Sequence, residues 1–306
     1  MEATLANTVE PGDTVLVAVK GYFGNRLKDM AGRYRANVQV IEKPWGEAFS
    51  LDELDVALQQ HKPAILAMVH AETSTGVCQP MDGIGDLCRQ HDCLLLLDTV
   101  TSLGGVPLHL DAWKVDMAYS CSQKGLSCPP GLGPFTMGPR AEAKLAARKD
   151  KVPNWYLDVS LLNQYWGSDR VYHHTAPVNM NFGMREALRL LSDEGLDNAW
   201  ARHRKNAEAL WSGLESLGLE LHVPEELRLP TLTTVRIPSD VDGKAFSSHL
   251  LNTHGIEVGG GLGVLAGKIW RIGLMGYNST PDNVARLLNL FETELPRFRQ
   301  GVAVAA

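Results

Sequence analysis

The chain has 306 residues, of which 44% are hydrophobic and 21% charged, and its formal net charge is −6. This composition is typical of a globular protein, and the negative charge argues against a nucleic-acid platform, which needs a concentrated basic face. No apolar run approaches the roughly 20 residues that cross a bilayer, so we expect neither a nucleic acid nor a membrane as a partner.

Five apolar runs predict buried strands in the first half of the chain. In order, they are Thr14–Val19, Asn37–Glu42, 64–70, Leu94–Asp98 and 116–120, preceded by a predicted helix over residues 2–9. The runs are continuous rather than alternating, so we expect both faces of the sheet to be covered. Helical patterns at residues 25–33, 50–60 and after Asp82 favour an α/β fold with an open, mainly parallel sheet. Ligands of such sheets bind beyond the carboxyl ends of the strands.

The pattern changes after about Gly195. Apolar residues at helical spacing predict a long amphipathic helix, with Leu196, Trp200, His203, Ala207, Leu210, Leu214 and Leu217 on one stripe. Shorter strands are predicted within 231–238, 256–261 and 269–276, and a final helix over 282–298. We expect a boundary near Glu194, between a large domain at residues 1–194 that is incomplete at its N-terminus and a small α+β domain at 195–306.

Three patterns that suggest other chemistry fail on inspection. The stretch GGGLGVLAGK (residues 259–268) is not a phosphate loop, because Leu262 stands where that motif needs glycine and Ile269 where it needs serine or threonine. The adjacent His173 and His174 point in different directions and lack a partner one helical turn away, so no metal site is predicted. The five cysteines are scattered without a CxxC pair, which predicts reduced thiols.

The run LLLLD ends a buried strand in the carboxylate of Asp98, which costs several kcal/mol unless a partner compensates the charge. Lys124 follows in the small, non-helical stretch SCSQKGLSCPPG, between the strand at 116–120 and the apolar run GPFTMG at 133–138. The residues between these two strands make a poor crossover helix. We therefore expect the strands to be antiparallel and joined by a loop at the site.

Asp98 and Lys124 together point to one cofactor. A lysine beside a desolvated strand end is disfavoured in its charged form, so its neutral amine can attack an aldehyde. A buried carboxylate suits a protonated ring nitrogen, and this combination is what pyridoxal 5'-phosphate requires. Taken singly, Asp98 is as readily a cap or turn residue, and Lys124 a solvated surface lysine.

Motifs that extend from one end of the chain to the other strengthen this interpretation. They include EPGDTVLVAVKGYFGNR, HAETSTGVCQPMDGIGDLC, LLLLDTVTSLGGVPLHLDAWKVDMAYSCSQK, YHHTAPV and GGGLGVLAGKIWRIGLMG. In this order they resemble the alanine–glyoxylate (serine–pyruvate) aminotransferases, a class V group of the fold-type I pyridoxal phosphate enzymes. The resemblance implies transfer of an amino group from alanine or serine to glyoxylate or pyruvate, so the partners are expected to be small amino acids and 2-oxo acids.

The resemblance also implies roles around the cofactor ring. Lys124 would form the internal aldimine and carry the proton between the substrate and the cofactor, while Asp98 would hold the ring nitrogen. Val100 would press on one face of the ring, and Phe23 stands where the family usually has a stacking tryptophan. Thr73 would lie near the ring substituents. Without the resemblance, Phe23 would be interpreted as plain core.

Four more residues receive roles in the same way. Gln123 would help to hold the phosphate, and Tyr172 and Thr175 would reach it from the other subunit, which implies a homodimer. Arg271 would grip the substrate carboxylate with its planar guanidinium. Without the resemblance, Arg271 would be interpreted as a surface ion pair and Tyr172 as an interface residue.

Relatives carry a further segment before the position of Met1, with a turn and helix N-terminus that anchor the phosphate. We expect this chain to lack that segment. Gln123, Tyr172 and Thr175 would then hold the phosphate largely alone, and cofactor affinity would be weakened.

Three alternatives remain open at this stage. A kynurenine-type aminotransferase would share the fold and the cofactor. A cysteine desulfurase is more distant, because that group usually has histidine in place of Gln123. A truncated, catalytically inactive paralogue is the non-enzyme alternative, against which the presence of Asp98, Lys124 and Arg271 together argues. The compartment is expected to be peroxisomal or cytoplasmic, although the N-terminus does not resemble a signal peptide and the C-terminal GVAVAA does not resemble the peroxisomal S-K-L signal.

Overall fold

The computed structural model describes residues 1–299. The C-terminal stretch GVAVAA, considered above for targeting, lies outside the described residues. Among the helices of residues 1–299, none has the length and apolar character needed to span a bilayer.

The first half of the chain is built on a six-stranded sheet, as predicted. Its strands and the intervening hairpin are β1 (Thr14–Val19), β2 (Asn37–Glu42), β3 (Ile65–Val69), the hairpin β4 (Ala71–Glu72) and β5 (Val77–Cys78), β6 (Leu94–Asp98), β7 (Met117–Tyr119) and β8 (Phe135–Met137). The order across the sheet is β2-β1-β3-β6-β7-β8, and every neighbouring pair is parallel except β7 and β8. The antiparallel pairing of β7 with β8 confirms the expectation for the loop that carries Lys124.

The register of this sheet aligns the carboxyl ends of its central strands. Val69 is paired with Asp98, and Asp98 with Tyr119. Strand order reverses at β1, since the chain passes to β2 on one side of it and to β3 on the other. Ligands of open α/β sheets bind at such a reversal, so the site is expected at the carboxyl ends of the central strands.

Strand β2 is the edge of the sheet, and the prediction that both of its faces are buried is wrong. Its end residues Asn37 and Glu42 are exposed, and the four residues between them are only half-buried. An edge strand has a neighbour on one side only, and its apolar sequence gives no sign of this position.

Seven helices surround the sheet among the residues before Gly195. They are α1 (Glu2–Thr8), α2 (Tyr22–Arg33), α3 (Leu51–His61), α4 (Ile84–Gln90), α5 (Pro139–Ala146), α6 (Val159–Trp166) and α7 (Val178–Glu194). A capping box begins α3, in which Ser50 and Glu53 each accept a hydrogen bond from the backbone N–H of the other. Asp82, the plausible cap that the sequence offers just before α4, does not cap this helix. Gly83 takes the cap position with φ 83°, a conformation that favours glycine.

Gly195 separates α7 from the second half of the chain, because its φ of 82° breaks the helical path. The second half contains α8 (Leu196–Ser216), β9 (Leu232–Arg236), α9 (Gly243–His254), β10 (Gly259–Gly260), β11 (Ile269–Gly273) and α10 (Pro281–Glu294). Its three strands form an antiparallel sheet in the order β10-β11-β9. The predicted stripe on α8 is buried from His203 to Leu214, whereas Leu196 in the first turn is exposed.

The two halves have separate hydrophobic cores. One core draws on residues 207–298, and the layers on the two faces of the large sheet draw on residues 1–141. A small cluster joins them, made of Ala71, Val106, Leu229 and Leu232. Thr231 Oγ1 also donates to the Thr101 carbonyl oxygen at 3.2 Å across this junction. These observations support the boundary near Glu194, which we keep as a proposal.

Candidate active site

A cavity of about 490 Å³ opens at the carboxyl edge of the large sheet. Six of the residues singled out from the sequence line it: Phe23, Thr73, Asp98, Val100, Gln123 and Lys124. They come from the start of α2, the hairpin after β3, the end of β6 and the loop after β7. The volume is in the range of small-molecule sites, so the fold brings most of the predicted site into one ligand-sized space.

Asp98 lies at the bottom of this cavity and is 3% exposed. Val100 N donates to its Oδ1 at 2.9 Å, and Tyr119 Oη donates to its Oδ2 at 2.6 Å. Burial raises the pKa of Asp98 from 3.8 to about 6, although both hydrogen bonds act in the opposite direction. Above that pH the site contains a carboxylate whose negative charge is only partly compensated.

A second buried carboxylate shows how this protein compensates such a charge elsewhere. Asp116 is 2% exposed, and it forms ion pairs with Arg89 at 3.0 Å and Arg140 at 3.1 Å. Asp98 has no ion pair with any residue in the described part of the chain. An uncompensated buried charge is costly, so the environment of Asp98 suits a cationic ligand.

Lys124 lies in the loop between β7 and β8. Ser122 closes this loop, since its Oγ donates to the Pro129 carbonyl oxygen at 2.7 Å and accepts from Leu132 N at 3.3 Å. The Lys124 side chain is half-buried and makes no hydrogen bond or ion pair within residues 1–299. The loop therefore presents a free amine to the cavity that contains Asp98.

Helix α2 supplies the aromatic wall of the cavity. The Phe23 ring packs edge-on against Tyr22, and the Arg26 guanidinium lies 4.9 Å from the Phe23 ring centroid. Arg26 also lines the cavity and has no acidic partner in the described part of the chain. The sequence analysis missed Arg26, although its spacing of three from Phe23 on a helix is a signal for a shared face.

Glu72 fixes the N-terminus of α2 and was also missed. This fully buried carboxylate accepts hydrogen bonds from Gly24 N at 3.2 Å and Ser74 N at 3.1 Å. A Cβ at Gly21 would lie 2.3 Å from the Glu72 side chain, so glycine is required for this close approach. Glu72 thus orients the helix that carries Phe23. Its sequence context, HAETSTG, shows no pattern that predicts a buried carboxylate.

Lys20 is a second lysine near Asp98, and the sequence analysis missed it as well. It follows β1, is 1% exposed and donates a hydrogen bond to the Val69 carbonyl oxygen. Burial lowers the pKa of Lys20 from 10.5 to about 8, while the carboxylates of Glu72 and Asp98 act in the opposite direction. Lys20 does not line the cavity. Lys20 therefore interacts with Asp98 through its charge without contacting a ligand in the cavity.

Arg271 on β11 lies next to the cavity without lining it. Its Nε donates to the Gly260 carbonyl oxygen at 2.7 Å, and its Nη1 is 3.5 Å from the Thr73 carbonyl oxygen. Burial lowers the pKa of Arg271 below its usual value. No carboxylate of residues 1–299 forms an ion pair with Arg271, so its guanidinium can bind an anionic ligand.

Tyr172 and Thr175 do not approach the cavity of their own chain. Tyr172 is 72% exposed, and its hydroxyl is 3.1 Å from Thr175 Oγ1. Neither residue lines the cavity. Their contribution to a neighbouring subunit stays a prediction.

The residues present fit pyridoxal 5'-phosphate. The fit rests on the donor set in the cavity: a buried carboxylate without an ion pair, a free amine and an aromatic wall. The carboxylate suits a protonated ring nitrogen, the amine suits an aldehyde, and the guanidinium of Arg26 suits a phosphate.

Comparisons with known proteins agree with this donor set. A family model described as aminotransferase class V matches residues 2–287. The chain is 46% identical to an alanine–glyoxylate aminotransferase from Callithrix jacchus, over 93% of this chain and 70% of that protein. It is 38% identical to a (S)-ureidoglycine–glyoxylate transaminase from Bacillus subtilis, over 99% of this chain and 77% of that protein.

A solved structure is similar as well. It is an alanine–glyoxylate aminotransferase from Nostoc sp., with a TM-score of 0.94 and 66% sequence identity. The similarity covers 95% of this chain and 78% of that one. The sequence comparison and the structure comparison therefore indicate the same fold and the same class of enzyme.

Lys20 gives the protein a distinctive pH dependence. Between its folded pKa of about 8 and its ordinary value of 10.5, the unfolded chain holds a proton that the folded chain has released. The free energy of unfolding therefore rises with pH across this window, by about 3 kcal/mol. Lys20→Met removes this contribution, because methionine fills a similar volume without a charge. Thermal unfolding of both proteins across the window should show the wild type gaining stability relative to the variant.

The exposed Lys28 provides the matched control for this experiment. Lys28→Met should keep the pH dependence of the wild type. If the difference in the free energy of unfolding between wild type and Lys20→Met stays constant with pH, the lowered pKa of Lys20 is contradicted.

Proposed function

The chain belongs to the class V aminotransferases, which depend on pyridoxal 5'-phosphate, and we propose that it transfers the amino group of alanine or serine to glyoxylate or pyruvate. The amino acceptor has the stronger support. Both the Callithrix and the Bacillus relatives are named for glyoxylate, whereas their amino donors differ. We therefore place glyoxylate first among acceptors and alanine first among donors.

One observation carries this proposal: Asp98 and Lys124 line the same cavity, and neither has an ion-pair partner within residues 1–299. When bound, pyridoxal 5'-phosphate supplies an aldehyde that takes up the amino group and a protonated ring that accepts the electron pair released at the substrate Cα. The Asp98 carboxylate holds the proton on the ring nitrogen. Lys124 Nζ would act as the general base that takes the proton from the substrate Cα and, as the conjugate acid, would deliver it to the C4′ carbon of the cofactor.

Arg271 is proposed to bind the substrate carboxylate. Its Nε is already fixed by Gly260, which orients the guanidinium and leaves other N–H groups for a ligand. A planar, bidentate donor suits a carboxylate that alanine, glyoxylate and pyruvate all carry. This common anchor explains how one site can accept a donor and an acceptor in turn.

The cofactor ring and phosphate are proposed to contact the remaining predicted residues. Phe23 and Val100 would enclose the ring, and Thr73 would lie beside its substituents. Gln123 would donate to the phosphate, and the nearby Arg26 adds a positive charge on the same cavity wall.

We further propose that the functional unit is a homodimer. Helix α7 has no buried residue along its whole length, although it carries the exposed apolar side chains Val178, Phe182, Leu188 and Leu190. The segment before it exposes Trp155, Tyr156, Trp166 and Tyr172. Apolar exposure concentrated in one segment of the chain is typical of a protein interface. Such an interface would bring Tyr172 and Thr175 to the phosphate of the other subunit.

The alternative functions have less support. Relatives of more than 40% identity are named for glyoxylate transamination and not for kynurenine. An inactive paralogue would gain nothing from the Asp98 carboxylate, because a charge buried without an ion pair costs stability.

The compartment is proposed to be peroxisomal or cytoplasmic. All five cysteines are free in the structure, three of them buried. This state suits a protein that folds in a reducing compartment.

A donor and acceptor panel tests the transaminase proposal. The purified protein, supplied with pyridoxal 5'-phosphate, should convert alanine and glyoxylate fastest, with serine and (S)-ureidoglycine as alternative donors and pyruvate as the alternative acceptor. Lys124→Ala should lower the rate by about 10³-fold or more, because loss of a positioned proton-transfer group alone costs 10²- to 10⁴-fold. The exposed Lys244→Ala serves as the matched control. A Lys124→Ala enzyme of wild-type rate would refute the assignment.

Mixing two inactive variants tests the shared site. Chains with Lys124→Ala are combined with chains carrying Tyr172→Ala and Thr175→Ala, and the dimers are allowed to exchange subunits. If Tyr172 and Thr175 act across the interface, each hybrid dimer regains one intact site, so activity returns to roughly a quarter of the wild-type value at equal mixing. As the control, each variant is carried through the same subunit exchange without the other variant. No gain on mixing, or full activity of the double variant by itself, would exclude the shared site.

A further inference from the structure

A group of three metal-ligating side chains lies in the small C-terminal part, outside the cofactor cavity. His249 and His254 are on α9, and Glu294 is the last residue of α10. One potential ligand atom from each lies within 4.8 Å of the other two. The His249 and His254 rings are 5.3 Å apart between centroids and nearly perpendicular. The sequence analysis predicted no metal site and did not single out these three residues, since Glu294 is distant in sequence from the two histidines.

The geometry of these side chains is partly organised for a cation. His249 Nε2 is 2.9 Å from Glu294 Oε2, a hydrogen-bond distance, whereas two ligands on one tetrahedral zinc ion lie about 3.3 Å apart, so the imidazole and the carboxylate are already close to ligand spacing. His249 Nδ1 is 3.2 Å from Thr253 Oγ1. A hydrogen bond at this second ring nitrogen is how metal-binding histidines are usually oriented.

His254 supplies the second, independent observation. Its Nε2 is buried and has no hydrogen-bond partner within residues 1–299. Arg286 donates to the His254 carbonyl oxygen at 2.6 Å and so fixes the end of α9. A buried imidazole nitrogen without a partner loses free energy, which a metal ion would restore.

We propose that His249, His254 and Glu294 form a binding site for a divalent cation of the zinc class, with water as the fourth ligand, which ties the end of α9 to the end of α10. Two imidazoles and one carboxylate are a ligand set that zinc accepts, and they exclude calcium and magnesium, which prefer all-oxygen sites. The widest separation of the ligand atoms, up to 4.8 Å, has to shorten by about 1.5 Å to reach tetrahedral spacing.

Arg297 competes with the proposed cation. Its Nη1 donates to Glu294 Oε2 at 2.5 Å, on the same oxygen that faces His249. A metal ion must either displace this arginine or use Oε1. Removal of the Arg297 charge is therefore expected to tighten metal binding, an effect that a purely structural ion pair would not produce.

Calorimetric titration of the cofactor-loaded, chelator-treated full chain with zinc chloride tests the proposal. We expect one site per chain, and a loss of affinity of about 100-fold or more for His249→Ala and His254→Ala, since even outer-shell changes cost 10- to 100-fold. His61→Ala, at the end of α3, is the control for incidental binding to a histidine and should behave as wild type. Arg297→Gln should bind zinc more tightly than wild type.

A second measurement keeps the test valid if a variant is less stable. Zinc should raise the Tm of the wild type, His61→Ala and Arg297→Gln, and should leave the Tm of His254→Ala unchanged. When cobalt is bound in place of zinc, the visible absorption spectrum of the protein should be that of a four-coordinate cobalt ion. Absence of a one-equivalent site, or equal zinc affinity in His254→Ala and His61→Ala, would overturn the proposal.

Discussion

The carboxylate of Asp98, buried without an ion pair at the end of β6, is the feature on which the cofactor site depends. Two hydrogen bonds hold it in place, yet burial still raises its pKa to about 6. The same protein gives Asp116 two arginines, so it has the means to compensate a buried acid. Leaving Asp98 without such a partner makes the empty site electrostatically costly. We propose that a protonated pyridine ring would remove that cost, with Asp98 facing the ring nitrogen.

The topology of the sheet converts this local feature into a site. Because Val69, Asp98 and Tyr119 are aligned on three adjacent strands, the residues that follow those strands meet at one edge. The loop after β7 returns to pair with β8 and therefore carries Lys124 back over the same edge. Glu72 holds the start of α2, and the small C-terminal part brings Arg271 close to Thr73. Each of these contacts is local. The order of the strands brings the residues together at one place.

The large sheet was predictable because it produces strong local signals, and the same signals singled out Asp98, which lines the cavity together with Lys124. A continuous apolar run predicts a strand, and a charged residue at its end predicts a functional or capped position. The edge position of β2, the role of Glu72 and the burial of Lys20 were not predictable. They depend on which elements pack together, and sequence spacing carries no information on contacts between distant segments. The roles of Phe23, Thr73, Gln123 and Arg271 came from family resemblance. The structure brings the first three into the cavity and places Arg271 beside it.

Two lysines lie near Asp98, and we propose the covalent role for Lys124, which lines the cavity, and not for Lys20, which is buried and does not line it. The most direct test is reduction of the pyridoxal 5'-phosphate-loaded protein with borohydride, followed by peptide mapping of the phosphopyridoxyl group. We predict that a single peptide is labelled and that the phosphopyridoxyl group is on Lys124. Labelling of Lys20, or of exposed lysines alone, would contradict it.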